Sequence, residues 1–139
     1  MESFLGTKLI TNDGKEADFS RVKDAKVIGI YFSAHWCPPC RNFTPILASF
    51  YEEVNANEHQ LEIIFASRDK DENSFNEYFA TMPWLAFPFD DERISKFKNL
   101  YDVTGIPKLV IINKEADVIT LDGRNDVVNV GPEAVKKWL

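Results

Sequence analysis

Val27–Phe43 reads VIGIYFSAHWCPPCRNF and holds both cysteines of the chain. Its first half, Val27–Ser33, is an unbroken apolar, β-branched and aromatic run. That predicts a strand covered on both faces. Its second half places Pro38 and Pro39 at the start of a helix, where backbone donors lack intrahelical partners anyway. Phe43, Leu47, Phe50, Tyr51 and Val54 then recur at intervals of three and four, the spacing of one helix face. Pro45 falls inside this pattern and is expected to kink it. Leu61–Ser67, LEIIFAS, repeats the buried-strand signature. Strand, helix, strand within this length is a βαβ unit with parallel strands.

Working outward, Asn12-Asp13-Gly14 in LITNDGKE supplies the turn of a short hairpin. A helix is expected from about Asp71 to Ala80, burying Phe75, Tyr78 and Phe79. MPWLAFPF then breaks regularity with two prolines and displays Trp84. Another helix follows Asp90 and Asp91, with Ile94, Phe97, Leu100 and Tyr101 on one face. KLVIIN and DVITLDG read as two antiparallel strands joined through Lys114-Glu115-Ala116. Gly131-Pro132 opens a short last helix ending at Trp138. No internal repeat, low-complexity tract or linker interrupts this order.

The 139 residues suit one domain with a sizeable core, and 45% hydrophobic with 13% aromatic content argues against disorder. A net charge of −6 disfavours nucleic acid as a partner, because phosphates demand a basic face. No apolar stretch is long enough to cross a bilayer, so no membrane partner is expected. MESFLGTKLITNDGKE has no basic segment leading into an apolar run, so no secretory leader is expected. A lone Cys-x-x-Cys pair in such a chain reads as redox or metal chemistry.

Cys37 falls where the strand ends and the helix begins. Partial positive charge and free N–H groups at a helix N-terminus favour a thiolate, which makes Cys37 the nucleophile. Cys40 lies one turn on, near enough to bridge. Cys37 attacks a disulfide, and Cys40 then resolves the mixed disulfide. A structural disulfide closing so small a loop constrains the unfolded chain little. A structural zinc site needs four ligands, and two cysteines with two histidines at these spacings do not supply them. No metal and no other cofactor is expected.

WCPPC at a strand-to-helix junction, a proline within the helix and TGIPKLVIIN later resemble the thioredoxin superfamily. YFSAHWCPPCRNFTP, FNEYFATMPWLAFPFDD and GIPKLVIINKEADVIT resemble, more narrowly, the nucleoredoxins and tryparedoxins. The resemblance runs from about Lys8 to Trp138. It implies a thioredoxin fold over residues 1–139 as a single domain: a central mixed sheet flanked by helices, a βαβ half, a hairpin half and a C-terminal helix. It implies that Pro107 follows a cis bond and that Ile106 pairs with substrate beside Cys37. Trp36 is expected at the substrate surface, and Trp84 either there or packed in the core. Thioredoxins carry a buried aspartate six residues before the first cysteine, and this chain carries Tyr31, a poor base at neutral pH. Tyr31 either tunes a sulfur or packs in the core. His35 either stabilises the Cys37 thiolate or points to solvent.

The expected function is reduction of disulfide-containing proteins, driven by an upstream reductase or small thiol in a cytoplasmic or nuclear setting. The alternative is a redox-gated interaction module of the nucleoredoxin type with little turnover. A secretory oxidase is a third possibility, disfavoured by the missing leader and retention signal.

Overall fold

The structure, a computed structural model, describes residues 1–139. In chain order the elements are α1 (Glu2–Leu5), α2 (Ser20–Asp24), β1 (Val27–Ser33), α3 (Pro38–Val54), β2 (Leu61–Ser67), α4 (Glu72–Phe79), β3 (Leu85–Ala86), α5 (Glu92–Leu100), β4 (Lys108–Ile112), β5 (Val118–Thr120), α6 (Gly123–Val130) and α7 (Ala134–Trp138). A 3₁₀ turn, Gly131–Glu133, leads into α7. The five strands form one mixed sheet in the order β3-β2-β1-β4-β5. β1 pairs parallel with β2 and antiparallel with β4, so it is the central strand. β3 joins β2 in parallel, and β5 closes the other edge antiparallel to β4.

Alternation along β1 sorts its side chains onto two faces. Tyr31 joins one cluster, formed by Phe43, Leu47 and Phe50 of α3, Phe75 and Phe79 of α4, Val127 of α6 and Trp138 of α7. Ile28, Ile30 and Phe32 join the other, with Leu5, Val22, Ile94 and Phe97. The sheet is thus a middle layer with helices on both faces. This thioredoxin fold is the one the sequence motifs implied.

The βαβ unit falls where the sequence places it, and Pro45 sits inside an unbroken α3. The expected hairpin near Gly14 is reduced to an isolated antiparallel bridge between Ile10 and Glu16. Three expectations are corrected. Trp84 is not displayed: it is 1% exposed, packed edge-on against Tyr31 and Tyr51 at ring separations of 6.0 and 5.6 Å. The cause is the two-residue strand β3 beside it, which draws MPWLAFPF into the sheet edge and turns Trp84 inward. Leu100 does not share the buried face of α5 but is exposed at its end. DVITLDG does not lead directly to the last helix, because Asp122 caps an unexpected α6 by accepting from Asn125 N–H at 3.3 Å.

Two networks fasten the helices to the sheet. Glu62 on β2 is fully buried and meets Arg21 of α2 at 3.2 Å, His59 at 3.1 Å and the Tyr51 hydroxyl at 3.0 Å. The other network holds the N-terminal segment: Arg93 donates to the carbonyls of Leu5, at 2.9 Å, and Lys8 while pairing with Asp91 at 2.8 Å.

Candidate active site

β1 ends at Ser33, and four residues later α3 begins with Cys37 as its N-cap. Cys37 has extended backbone, and its Sγ accepts from Cys40 N–H at 3.4 Å. Pro38 and Pro39 have no N–H to offer, and Arg41 N–H is bonded to the Cys37 carbonyl at 3.1 Å. The first turn therefore aims a single backbone donor at the sulfur. Both cysteines are free thiols. Cys37 is 5% exposed and Cys40 0%, so Cys37 is the sulfur nearer to solvent.

The Ile106–Pro107 peptide bond is cis. It brings the Ile106 carbonyl to 3.9 Å from Cys37 Sγ. Pro107 itself is buried, whereas Ile106 packs half-exposed against the cysteines. Trp36 is 53% exposed, the most open aromatic side chain at the site. Its indole N–H donates to the Arg68 carbonyl at 3.2 Å, and the Lys70 ammonium lies 5.7 Å from its ring centre. Trp36, Ile106 and Pro107 thus gather around Cys37 as expected, and Trp84 does not.

Beneath the sulfurs lies a chain of buried hydroxyls. Ser33 Oγ is 2.7 Å from the Tyr78 hydroxyl, which is 2.6 Å from Thr44 Oγ1. Thr44 in turn is 2.7 Å from the Tyr31 hydroxyl and donates to the Cys40 carbonyl at 3.0 Å. Burial pushes the Cys40 thiol up to about 11, and the neighbouring Cys37 adds to the rise. Hydrogen bonds from the Ser33 hydroxyl and the Ala34 backbone act against it. Burial also raises Tyr31 and Tyr78 above the ordinary phenol value.

Tyr31 is therefore a fully buried core residue that touches the hydroxyl chain through Thr44. His35 is half-exposed, and its ring stacks on Tyr78, with centroids 5.5 Å apart and planes at 21°. Its backbone is clamped, the N–H to Asp69 at 2.8 Å and the carbonyl to Arg41 at 2.8 Å. His35, Tyr78 and Thr44 share a cleft of about 480 Å³ with Arg41 and Glu52, so the hydroxyl chain ends at a solvent-open wall.

Sequence reasoning missed Ser33, Thr44 and Tyr78 as parts of the site. A signal existed for two of them. Ser33 shares a strand face with Tyr31, two residues away, and Thr44 lies one helical turn beyond Cys40. Tyr78 reads from sequence as one more buried aromatic of α4, and only the fold brings it under β1.

The thioredoxin-like family model matches residues 24–118. Nucleoredoxin of Mus musculus is 44% identical over 122 residues, covering 87% of this chain and 28% of that protein. Tryparedoxin of Trypanosoma brucei brucei is 40% identical over 114 residues, covering 81% of this chain and 77% of that protein. The crystal structure of thioredoxin from Wuchereria bancrofti superposes with a TM-score of 0.81 at 41% identity, covering 97% of this chain and 95% of that one. The chain thus spans little more than a quarter of the curated nucleoredoxin it matches.

Proposed function

The chain belongs to the thioredoxin-like family, in its nucleoredoxin and tryparedoxin branch, and on that premise we propose that it is a protein-disulfide reductase working through Cys37 and Cys40. We read residues 1–139 as a single domain that does this in a reducing compartment, the cytoplasm or the nucleus. The observation that carries the proposal is the pairing of Cys37, the less buried sulfur, capped by one helix N–H beside Ile106 of the cis-proline loop, with a fully buried Cys40 one turn behind.

The Cys37 thiolate attacks one sulfur of a substrate disulfide. A Cys37–substrate bond forms, the substrate S–S bond breaks, and the departing substrate sulfur takes a proton. Cys40 then loses its proton and attacks Cys37 Sγ. The Cys37–Cys40 bond forms and the second substrate thiolate leaves, so two electrons have passed from the dithiol to the substrate. An upstream thiol reductant restores the dithiol. Ser33, hydrogen-bonded to the Cys40 thiol, and Tyr78, which lines the cleft of His35 and Glu52, give the Cys40 proton a route outward, and Thr44 holds the Tyr78 hydroxyl in place. In this scheme they stand in for the aspartate that Tyr31 replaces. Trp36 and Ile106 form the rim on which the substrate docks.

An insulin-reduction assay with a dithiol donor tests this reading. Activity is expected for the native chain and loss of it for Cys37→Ser. Full activity in Cys37→Ser overturns it. The redox-gated interaction module gains no separate support from the geometry of the site.

A further inference from the structure

The cleft beside the two cysteines is lined by charge of one sign. Resting on the reductase reading, we infer that this cleft selects disulfides carried on acidic polypeptide, with carboxylates flanking the substrate cysteine held by Arg68, Lys70 and Lys98.

The cleft, about 670 Å³, opens between Trp36 and Ile106 and adjoins Cys37 through the Ile106 carbonyl. Its eight lining residues include three cations and no acid, in a chain whose net charge is −6. The ion pairs of the molecule all lie elsewhere, so Arg68, Lys70 and Lys98 have no carboxylate partner. Arg68 and Lys98 are only half-exposed. Lys98, partly desolvated and without a counter-charge, favours any anion that reaches it, while Arg68 also borders an adjoining cleft that holds Asp69, Asp90, Asp91 and Glu92. Asp69, between two of these cations in sequence, does not neutralise them. Its carboxylate is held by His35 N–H at 2.8 Å and the Ser67 hydroxyl at 2.9 Å. Lys70 also lies 5.7 Å from the Trp36 ring centre, which keeps its ammonium at the mouth of the site.

The shape favours a polypeptide over a small acidic thiol. The cations come from the loop that follows β2 and from α5, so they suit carboxylates spaced along a chain. Ile106 N–H is engaged in no backbone hydrogen bond, and an extended segment can pair with such an edge. The charges act on encounter and register more than on the chemical step.

Three disulfide-bonded peptides, identical except for Glu, Gln or Lys at the positions flanking the cysteines, test the inference with a dithiol as electron donor. At low salt, kcat/KM is expected to fall in the order Glu, Gln, Lys, with Glu about tenfold above Lys. The spread should narrow in high salt as the charges are screened. In Lys70→Gln combined with Lys98→Gln, the Glu-to-Gln ratio should drop towards one. Reduction of all three peptides at equal rates overturns the inference and leaves the reductase reading standing. Reduction of none overturns both. Glutathione disulfide reduced as fast as the Glu peptide overturns the assignment to polypeptide.

Discussion

The hydroxyls of Ser33 and Tyr78 lie 2.7 Å apart beneath the two cysteines. This contact links the end of β1 to α4 and gives the buried Cys40 a polar neighbour in an otherwise apolar setting. Tyr78→Phe keeps the ring packing on His35 but removes the hydroxyl that joins Ser33 to Thr44. In rapid-quench experiments at pH 7, release of the mixed disulfide should slow by about tenfold or more. The deficit should shrink as pH rises towards 11, where hydroxide takes the Cys40 proton directly. Ser33→Ala should behave alike. A uniform loss at every pH would mark both residues as merely structural.

The two tryptophans near the site should separate cleanly. Trp84→Ala removes a fully buried ring from between Tyr31 and Tyr51. It should cost about 3–5 kcal/mol in denaturant unfolding, as for other buried aromatics. Trp36→Ala should change stability by no more than about 0.5 kcal/mol, as for exposed sites. Its effect should appear instead in a raised KM for protein disulfides.

Alkaline pH should destabilise the reduced protein in a defined window. Burial holds the Cys40 thiol protonated up to about 11, against an ordinary value of 9.0. Below pH 9 folded and unfolded chains both carry the thiol and nothing is lost. Between pH 9 and 11 the unfolded chain ionises first, so stability falls as pH rises. The raised Tyr31 and Tyr51 add to the loss above pH 10. The disulfide form has no Cys40 proton to release, so its decline should begin about one pH unit later. Urea melts of both redox forms from pH 8 to 11 measure the difference.

Arg21→Ala should destabilise the fold without touching the cysteines. It leaves Glu62, 0% exposed, with His59, the Tyr51 hydroxyl and the Ile63 N–H but no permanent cation. Removing one partner of a buried pair costs about 3–5 kcal/mol, and the partial exposure of Arg21 should bring the loss to about 2–3 kcal/mol. Arg21→Ala with Glu62→Leu should recover part of it, because the stranded charge is gone.

The fold was largely legible because its signals are periodic and local. Val27–Ser33 and Leu61–Ser67 are buried along their whole length and mostly apolar, with Glu62 the charged exception, and the α3 stripe between them is unbroken. What stayed hidden depends on distant partners. β3 is two residues long and is held between β2 and Ile10, partners distant in sequence, so Trp84 looked exposed in the sequence. α6 carries only Gly123 and Val127 as buried positions, too few for a visible stripe. At the site, Cys37, Cys40, Trp36 and Pro107 stand in recognisable motifs. Ser33, Thr44, Tyr78 and the cationic cleft come from separate segments that only the folded sheet brings together.

In the proposed mechanism Cys37 attacks first and Cys40 resolves. Mass spectrometry of Cys40→Ser incubated with a disulfide-bonded protein tests it most directly. A stable one-to-one adduct through Cys37 is predicted, with no such adduct when Cys37→Ser is treated alike. An adduct carried by Cys40 in Cys37→Ser, or none in Cys40→Ser, would contradict it.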